Sequence, residues 1–170
     1  GSNAESAFGS PAETLAAAVA ELRSVCCPDL VASSVYTTAP VGHVRQPDFL
    51  NIAAAGDASL SGLSPRQILL WIGRYERAAG RRPGQRWGPR PLDIDLIAYG
   101  DAIVGWPPNP RFWRHITLPH PQAHRRAFVL EPLRTIRPDW QHPVFRKTVD
   151  QLLRELPAFE RVSIARAVAQ

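Results

Sequence analysis

The chain holds one lysine, Lys147, and two cysteines, Cys26 and Cys27, in 170 residues. Adjacent cysteines rarely bridge without strain, and two are too few for a disulfide scaffold. They read as reduced thiols near a helix end, which points to the cytoplasm. No apolar run approaches the roughly 20 residues that span a bilayer, so no membrane segment is expected. The opening GSNAESAFGS has no basic region leading into an apolar stretch, which excludes a secretory leader there. No glycine-rich loop ending in Lys-Ser or Lys-Thr follows a strand, so a P-loop is excluded. No histidine has metal-ligand spacing with cysteine. His43, His115, His124 and His142 read as surface residues, and Trp71, Tyr36 and Tyr99 as packing.

Hydrophobic residues make up 45% and charged residues 21%. That balance is globular. A chain of this length buries about 70% of its unfolded surface, enough for one cored domain. A single domain over 1–170 is expected, with a C-terminal helix and tail from 146. The net charge of +5 is almost all arginine. Arginine suits bidentate phosphate contacts, and it also suits a genome rich in G and C. Composition alone leaves both open.

Punctuation divides the chain. SPAETLAAAVAELRSV opens with Ser10, Pro11 and Glu13, a capping box with proline at the first helical position. LVASSVYTTAP is β-branched and reads as a strand ending at Pro40. DFLNIAAAGDASL reads as a second strand. SPRQILLWIGRYERAAG repeats the Ser-Pro start, and Gly80 closes it. RRPGQRWGPRP has too much proline and glycine for regular structure. LDIDLIAYG reads as a third strand. TLPHPQAHRRAFVLEPLRTI reads as a turn and a short helix, TVDQLLREL as a late helix. The tail to Gln170 shows no assigning pattern. Helices alternating with a strand hairpin favour α/β or α+β with helices on a sheet.

In a strand, Asp93 and Asp95 share one face, about 6.6 Å apart. Leu92, Ile94 and Leu96 take the other. Unpaired buried carboxylates are too costly to keep. An ion pair with Arg86 or Arg90 satisfies them, and so does magnesium, which takes hard oxygen ligands and bridges substrate phosphates. Arg74, Arg77, Arg81, Arg82, Arg86 and Arg90 precede them, with Glu76 the only acid among them. Such crowding calls for an anion. A polyphosphate held by metal on the aspartates and by arginines opposite fits both signs. The arginine-rich loop then reads as a lid that closes over nucleotide and excludes water.

RWGPRPLDIDLIAYG resembles the signature of the 6-hydroxymethyl-7,8-dihydropterin pyrophosphokinases of folate biosynthesis. SSVYTTAPVG, QPDFLNIAA, GRRPGQRWGPRPLDIDL and LPHPQAHRRAFVLEPL resemble further family segments, in family order, over roughly residues 10 to 145. The resemblance implies an α+β, ferredoxin-like antiparallel sheet with helices packed on its faces. It implies a monomeric enzyme with ATP and the pterin as its small-molecule partners. The reaction moves pyrophosphate from ATP to the pterin hydroxymethyl group and yields AMP, with two Mg²⁺ ions expected. Asp93 and Asp95 match the metal ligands. Arg81 and Arg90 match loop arginines on the phosphates and count with the aspartates as catalytic. Trp87 matches a loop tryptophan that closes the site. His120 and Arg126 match nucleotide-phosphate contacts. Glu76 matches an acid on the helix before the loop, grouped with the nucleotide site. Thr38, Pro40 and Val41 match the loop beside the pterin. Phe49 and Phe128 match aromatics against its ring, and Asn51 an amide that reads its edge.

The pattern departs in places. The family begins with an apolar strand running into Gly-Ser-Asn, and this sequence begins at GSN. Those residues read either as that motif or as a tag remnant. The first strand lies inside the family sheet, so its loss is expected to cost much stability or to bring another strand or chain into its place. Arg82 stands beside Arg81 where relatives space two arginines, and Ala39 stands where proline is common. GWPPNPRFWRH is longer than the usual link to LPHP, so Trp106 and Trp113 cover a surface or meet a partner. Two other readings remain: a pterin- or nucleotide-binding relative without turnover, and a ferredoxin-like nucleic-acid binder. Paired aspartates on the sheet would repel a nucleic-acid backbone, so no nucleic acid is expected.

Overall fold

The computed structural model describes residues 1–40, 45–82, 88–108, 116–162 and 164–166. Helix α1, Pro11–Val25, starts as its sequence dictates. Ser10 Oγ accepts from the Glu13 N–H, and the Glu13 carboxylate accepts from the Ser10 N–H at 2.8 Å. Helix α2, Pro65–Ala78, repeats the device with Ser64 and Gln67. Each box satisfies helix-end donors that otherwise lack partners. Gly80, at φ 101°, turns the chain out of α2.

The two expected strands are each broken. They become β1 (Val31–Ala32), β2 (Tyr36–Thr38), β3 (Phe49–Asn51) and β4 (Ala54–Ala55). Ser33 shows the reason. Its N–H donates to Ala53 O at 2.9 Å, but its Oγ takes the Ala53 N–H at 3.0 Å. A side-chain oxygen replaces a carbonyl there and interrupts the ladder. β1 pairs with β4, and β2 pairs antiparallel with β3, Thr38 opposite Phe49. The tail adds β5 (Ile164–Arg166) on the other side of β2, giving the order β3–β2–β5.

Helices α3 (Ala127–Ile136), α4 (Val149–Glu155) and α5 (Ala158–Val162) complete the elements used here. Leu130, Leu133, Val149, Leu152 and Leu153 form one buried cluster of α3 and α4. Val19, Ile68 and Ile72 anchor a second, from α1 and α2. Ile52 packs on the second cluster and Ala53 on the first. Successive residues of an extended run face opposite sides, so the β3–β4 run lies between two helical layers. The fold is mixed α+β. No helix among the described residues is long and apolar enough to cross a membrane.

Leu92–Gly100 forms no strand, contrary to the reading of LDIDLIAYG. A strand needs ladder partners, and among the described residues this run has few. Gly1 and Asp93 exchange backbone bonds at 2.7 and 2.8 Å, and His120 N–H reaches Ile97 O at 2.7 Å. Its facial alternation is nonetheless kept: Leu92 is fully buried, and Ile94 and Leu96 pack on the core.

Residues 1–3 thread between β3 and this run. Ser2 and Leu50 exchange backbone bonds at 2.9 and 2.8 Å, and Asn3 N–H meets Arg90 O at 3.1 Å. A Cβ at Gly1 would run into Asn51 Oδ1, so a larger residue there would displace the Asn51 amide. Beside them a cavity of about 1180 Å³ separates Asn51–Gly56 from Leu92–Asp101, floored by Leu15, Ala18 and Val19 and by Ile68 and Ile72.

Candidate active site

Asp93 is the centre of a charge network. Its Oδ1 accepts from Arg81 Nη1 at 2.5 Å, and its Oδ2 is paired with Arg90. Arg81 also pairs with Glu76. Glu76 in turn accepts the Ile94 N–H at 2.8 Å, which ties α2 to the Asp-x-Asp run. Burial pushes the Asp93 carboxyl up, but Arg81 and Arg90 outweigh it and hold it below its ordinary value. Burial dominates at Glu76 and raises its pKa, against the Ile94 amide and Arg81. Arg81 would lose its proton more readily through burial, yet Asp93 and Glu76 raise it further. Glu76 thus stands behind Arg81 and holds it.

Asp95 differs. Its side chain is 40% exposed, and the basic groups beside it are His120 Nε2 and Arg126 Nη1, each at 3.9 Å. Neither is at hydrogen-bond distance. His120 Nδ1 accepts the Gln122 N–H at 3.2 Å, so its proton sits on Nε2, facing Asp95. Burial lowers the His120 pKa, Asp95 opposes, and Arg126 adds to the fall. The ring is a neutral donor near pH 7.

The Arg126 guanidinium lies 5.6 Å from the Phe128 ring centre, a cation–π pair at the start of α3. Across the cavity, Asn51 Nδ2 donates to Thr38 Oγ1 at 2.8 Å, and both are buried. Register places Thr38 beside Phe49 on the paired strands. Thr38, Phe49, Asn51, Arg90, Asp93, Asp95, Arg126 and Phe128 line one cavity. Aromatic, amide and charged side chains thus share one lining. Val41, Trp87 and Arg86 lie outside the described residues, and Pro40 follows β2, two residues past Thr38.

Asn3 was missed as a site residue. Its Nδ2 donates to Gln46 Oε1 and Pro47 O, both at 3.0 Å, and its Oδ1 accepts the Arg90 N–H at 2.8 Å. One buried amide thus joins the run before β3 to Arg90. Its only signal in sequence was its place in Gly-Ser-Asn. His142 was misread as a surface residue. It is fully buried, because Trp106, Trp140 and Phe145 surround it. His124, read the same way, is half-buried with its Nδ1 covered.

Residues 1–138 match the model of one protein family, 7,8-dihydro-6-hydroxymethylpterin-pyrophosphokinase. The chain belongs to that family. Among its relatives is the 2-amino-4-hydroxy-6-hydroxymethyldihydropteridine pyrophosphokinase of Mycobacterium tuberculosis. It is 42% identical over 142 residues, covering 79% of this chain and 73% of the relative. The Synechocystis enzyme of the same name is 35% identical over 149 residues, 88% of this chain and 71% of its own. That of Haemophilus influenzae is 36% identical over 133 residues, 78% and 77% respectively. The family match begins at Gly1, so Ser2 and Asn3 fall within it. Helix α4 and the tail lie beyond it.

Proposed function

We infer that this pyrophosphokinase works at the cavity between Asn51 and Asp95. The enzyme transfers pyrophosphate from ATP to the hydroxymethyl group of 6-hydroxymethyl-7,8-dihydropterin in folate synthesis. The observation that carries the site assignment is a single cavity lined by Phe49, Asn51 and Phe128 together with Arg90, Asp93, Asp95 and Arg126.

In this reading Phe49 and Phe128 flank the flat heterocycle. Asn51, oriented by Thr38, reads its donor and acceptor edge, and Pro40 and Val41 border it. Arg81, Arg90 and Arg126 take the phosphates, Trp87 helps cover them, and His120 donates from Nε2. Glu76 positions Arg81. The chain supplies no nucleophile. The hydroxymethyl oxygen attacks the β-phosphorus in line, its bond to phosphorus forms, and the α–β bridge breaks with AMP leaving. The attacking hydroxyl gives up its proton to solvent. Arginines stabilise charge spread over the phosphate oxygens.

The donor set fits a hard cation. Asp95 carries two carboxylate oxygens without a hydrogen bond among the described residues, and no three His, Cys, Asp or Glu side chains converge there as a closed cage. Magnesium usually completes its shell with water and substrate phosphate. Asp93 and Asp95 would hold Mg²⁺, two ions in our reading, which when bound would neutralise charge on the transferred group. Arg81 and Arg90 would then exchange Asp93 for phosphate.

We further propose a ferredoxin-like arrangement, one domain over 1–170, a monomer, and a cytoplasmic location. The direct test is AMP release from ATP with and without the pterin and Mg²⁺. AMP that needs both supports the reading. AMP formed at the same rate without the pterin or without Mg²⁺ would refute it.

A further inference from the structure

Trp106 lies in the long link between the Asp-x-Asp run and the His120 segment, and the reaction as derived makes no use of it. Backbone contacts bring it to that segment. Val104 and Leu118 exchange hydrogen bonds at 2.8 and 2.9 Å. Gly105 follows at φ 65°, where a Cβ would stand 2.6 Å from Ile116 O. Glycine alone lets the two runs approach so closely. Trp106 Nε1 then donates to Pro119 O at 2.8 Å. Pro119 directly precedes His120, whose own N–H is held by Ile97 O at 2.7 Å. The backbone around His120 is thus pinned from two sides.

The indole is itself held. His142 Nδ1 accepts the Val144 and Phe145 N–H groups at 3.3 and 3.4 Å, so its proton is on Nε2. Among the described residues that Nε2–H is buried without an oxygen or nitrogen partner. Arg125 Nε donates to His124 Nε2 at 3.1 Å, which leaves the His124 proton on Nδ1, also without a partner among the described residues. Both donors sit among rings. Trp106 meets His142 edge-on at 5.9 Å and Phe145 edge-on at 5.7 Å, with His124 at 6.4 Å. Aromatic faces accept such N–H groups weakly, and edge-to-face contacts fix ring orientation. The rings keep the indole turned so that Nε1 reaches Pro119.

We propose that Trp106, held by His124, His142 and Phe145, is a positioning residue that sets the His120 imidazole toward the nucleotide phosphates by pinning Pro119. This rests on the reading of His120 as a phosphate contact.

The test is a double-mutant cycle on the full chain. Trp106→Phe keeps a ring and removes the N–H. Replacing Trp106 by 3-benzothienylalanine removes the N–H at constant shape, and serves if the phenylalanine variant folds poorly. Calorimetry gives the Kd for the Mg²⁺ complex of α,β-methylene-ATP and, separately, for the pterin. Losing one hydrogen bond should raise the nucleotide Kd about three- to tenfold. The Kd for the pterin alone should stay within about twofold, the scatter of an uncoupled site. In a His120→Ala background the same change at Trp106 should add nothing. An equal nucleotide loss in both backgrounds would make Trp106 merely structural and overturn the proposal. So would unchanged nucleotide binding in the Trp106 variants while His120→Ala weakens it. If His120→Ala alone leaves nucleotide binding intact, the reading of His120 itself fails, and the proposal goes with it.

Discussion

Arg81 Nη1 lies 2.5 Å from Asp93 Oδ1 and pairs through the same nitrogen with Glu76. Asp93 is thus neutralised by this chain's own cations, while Asp95 stands 3.9 Å from the His120 ring and from the Arg126 guanidinium. The two aspartates share a motif but carry different structural loads, and substitution should separate them.

Asp95→Ala should lower AMP formation by about 10³-fold, the usual cost of losing a charge-stabilising group at phosphate chemistry. Its Tm should stay within about 2 °C, because an exposed, loosely paired carboxylate adds little. Asp93→Ala should lose activity similarly and also about 2 kcal/mol, since it strands Arg81 and Arg90. That corresponds to about 4–8 °C in Tm for a chain of this size. Steady-state assays with scanning calorimetry check both. Equal Tm losses would contradict the network.

Stability should fall on acidification in two stages. His142 has a pKa lowered to about 4, first by burial and then by His124. Its unfolded value is about 6.5. Below that, the unfolded chain binds a proton the folded chain refuses, so the contribution is full above about 6.5 and is lost as pH falls toward 4. The loss is on the order of 2–3 kcal/mol. His142→Phe should flatten this limb in urea titrations run from pH 7 to 4. The Asp93 contribution, from a lowered pKa, is present above about 3.9 and disappears as pH falls further, so that limb should persist. An unchanged profile in His142→Phe would assign the first limb elsewhere.

Phe128→Ala should raise KM for the pterin about 10- to 100-fold, from lost ring stacking and burial. Phe128→Trp should recover much of it. Nucleotide binding should change less, since Arg126 keeps its guanidinium while losing only the ring beneath it. Initial-rate kinetics with each substrate varied would show the split, and a rise confined to KM for ATP would move Phe128 out of the pterin site.

Part of the cavity lining beside Gly1 is apolar: Leu15, Ala18 and Val19 from α1 and Ile68 and Ile72 from α2. Appending about five alternating β-branched residues ahead of Gly1 should raise Tm by about 5 °C or more, from apolar burial against α1 and α2. Cys26 and Cys27 line this cavity. Their labelling by a thiol reagent should slow in the same variant. A charged extension of equal length should do neither. If both extensions behave alike, the cavity does not take a strand.

Much of the site was legible because its pattern is local. The alternation of LDIDL placed Leu92, Ile94 and Leu96 in the core and the aspartates opposite. Arg86 or Arg90 was expected to pair with the aspartates, and Arg90 does so with Asp93. Arg81 was expected on phosphate, and its bond to Asp93 required α2 and the Asp-x-Asp run to meet through Glu76. Asn3 was harder still, because its three partners come from segments more than 40 residues away.

The sequence by itself determined the helix starts at Ser10, Ser64 and Thr148, where a capping box closes within four residues. It also determined which residue types face each other along each short run, since side-chain periodicity needs no partner. Only the tertiary structure decided that Leu92–Gly100 forms no ladder, that His142 is buried, and that Trp106 reaches Pro119. Each of these depends on what a distant segment brings alongside, and a hydrogen bond or a ring contact across that distance has no local signature.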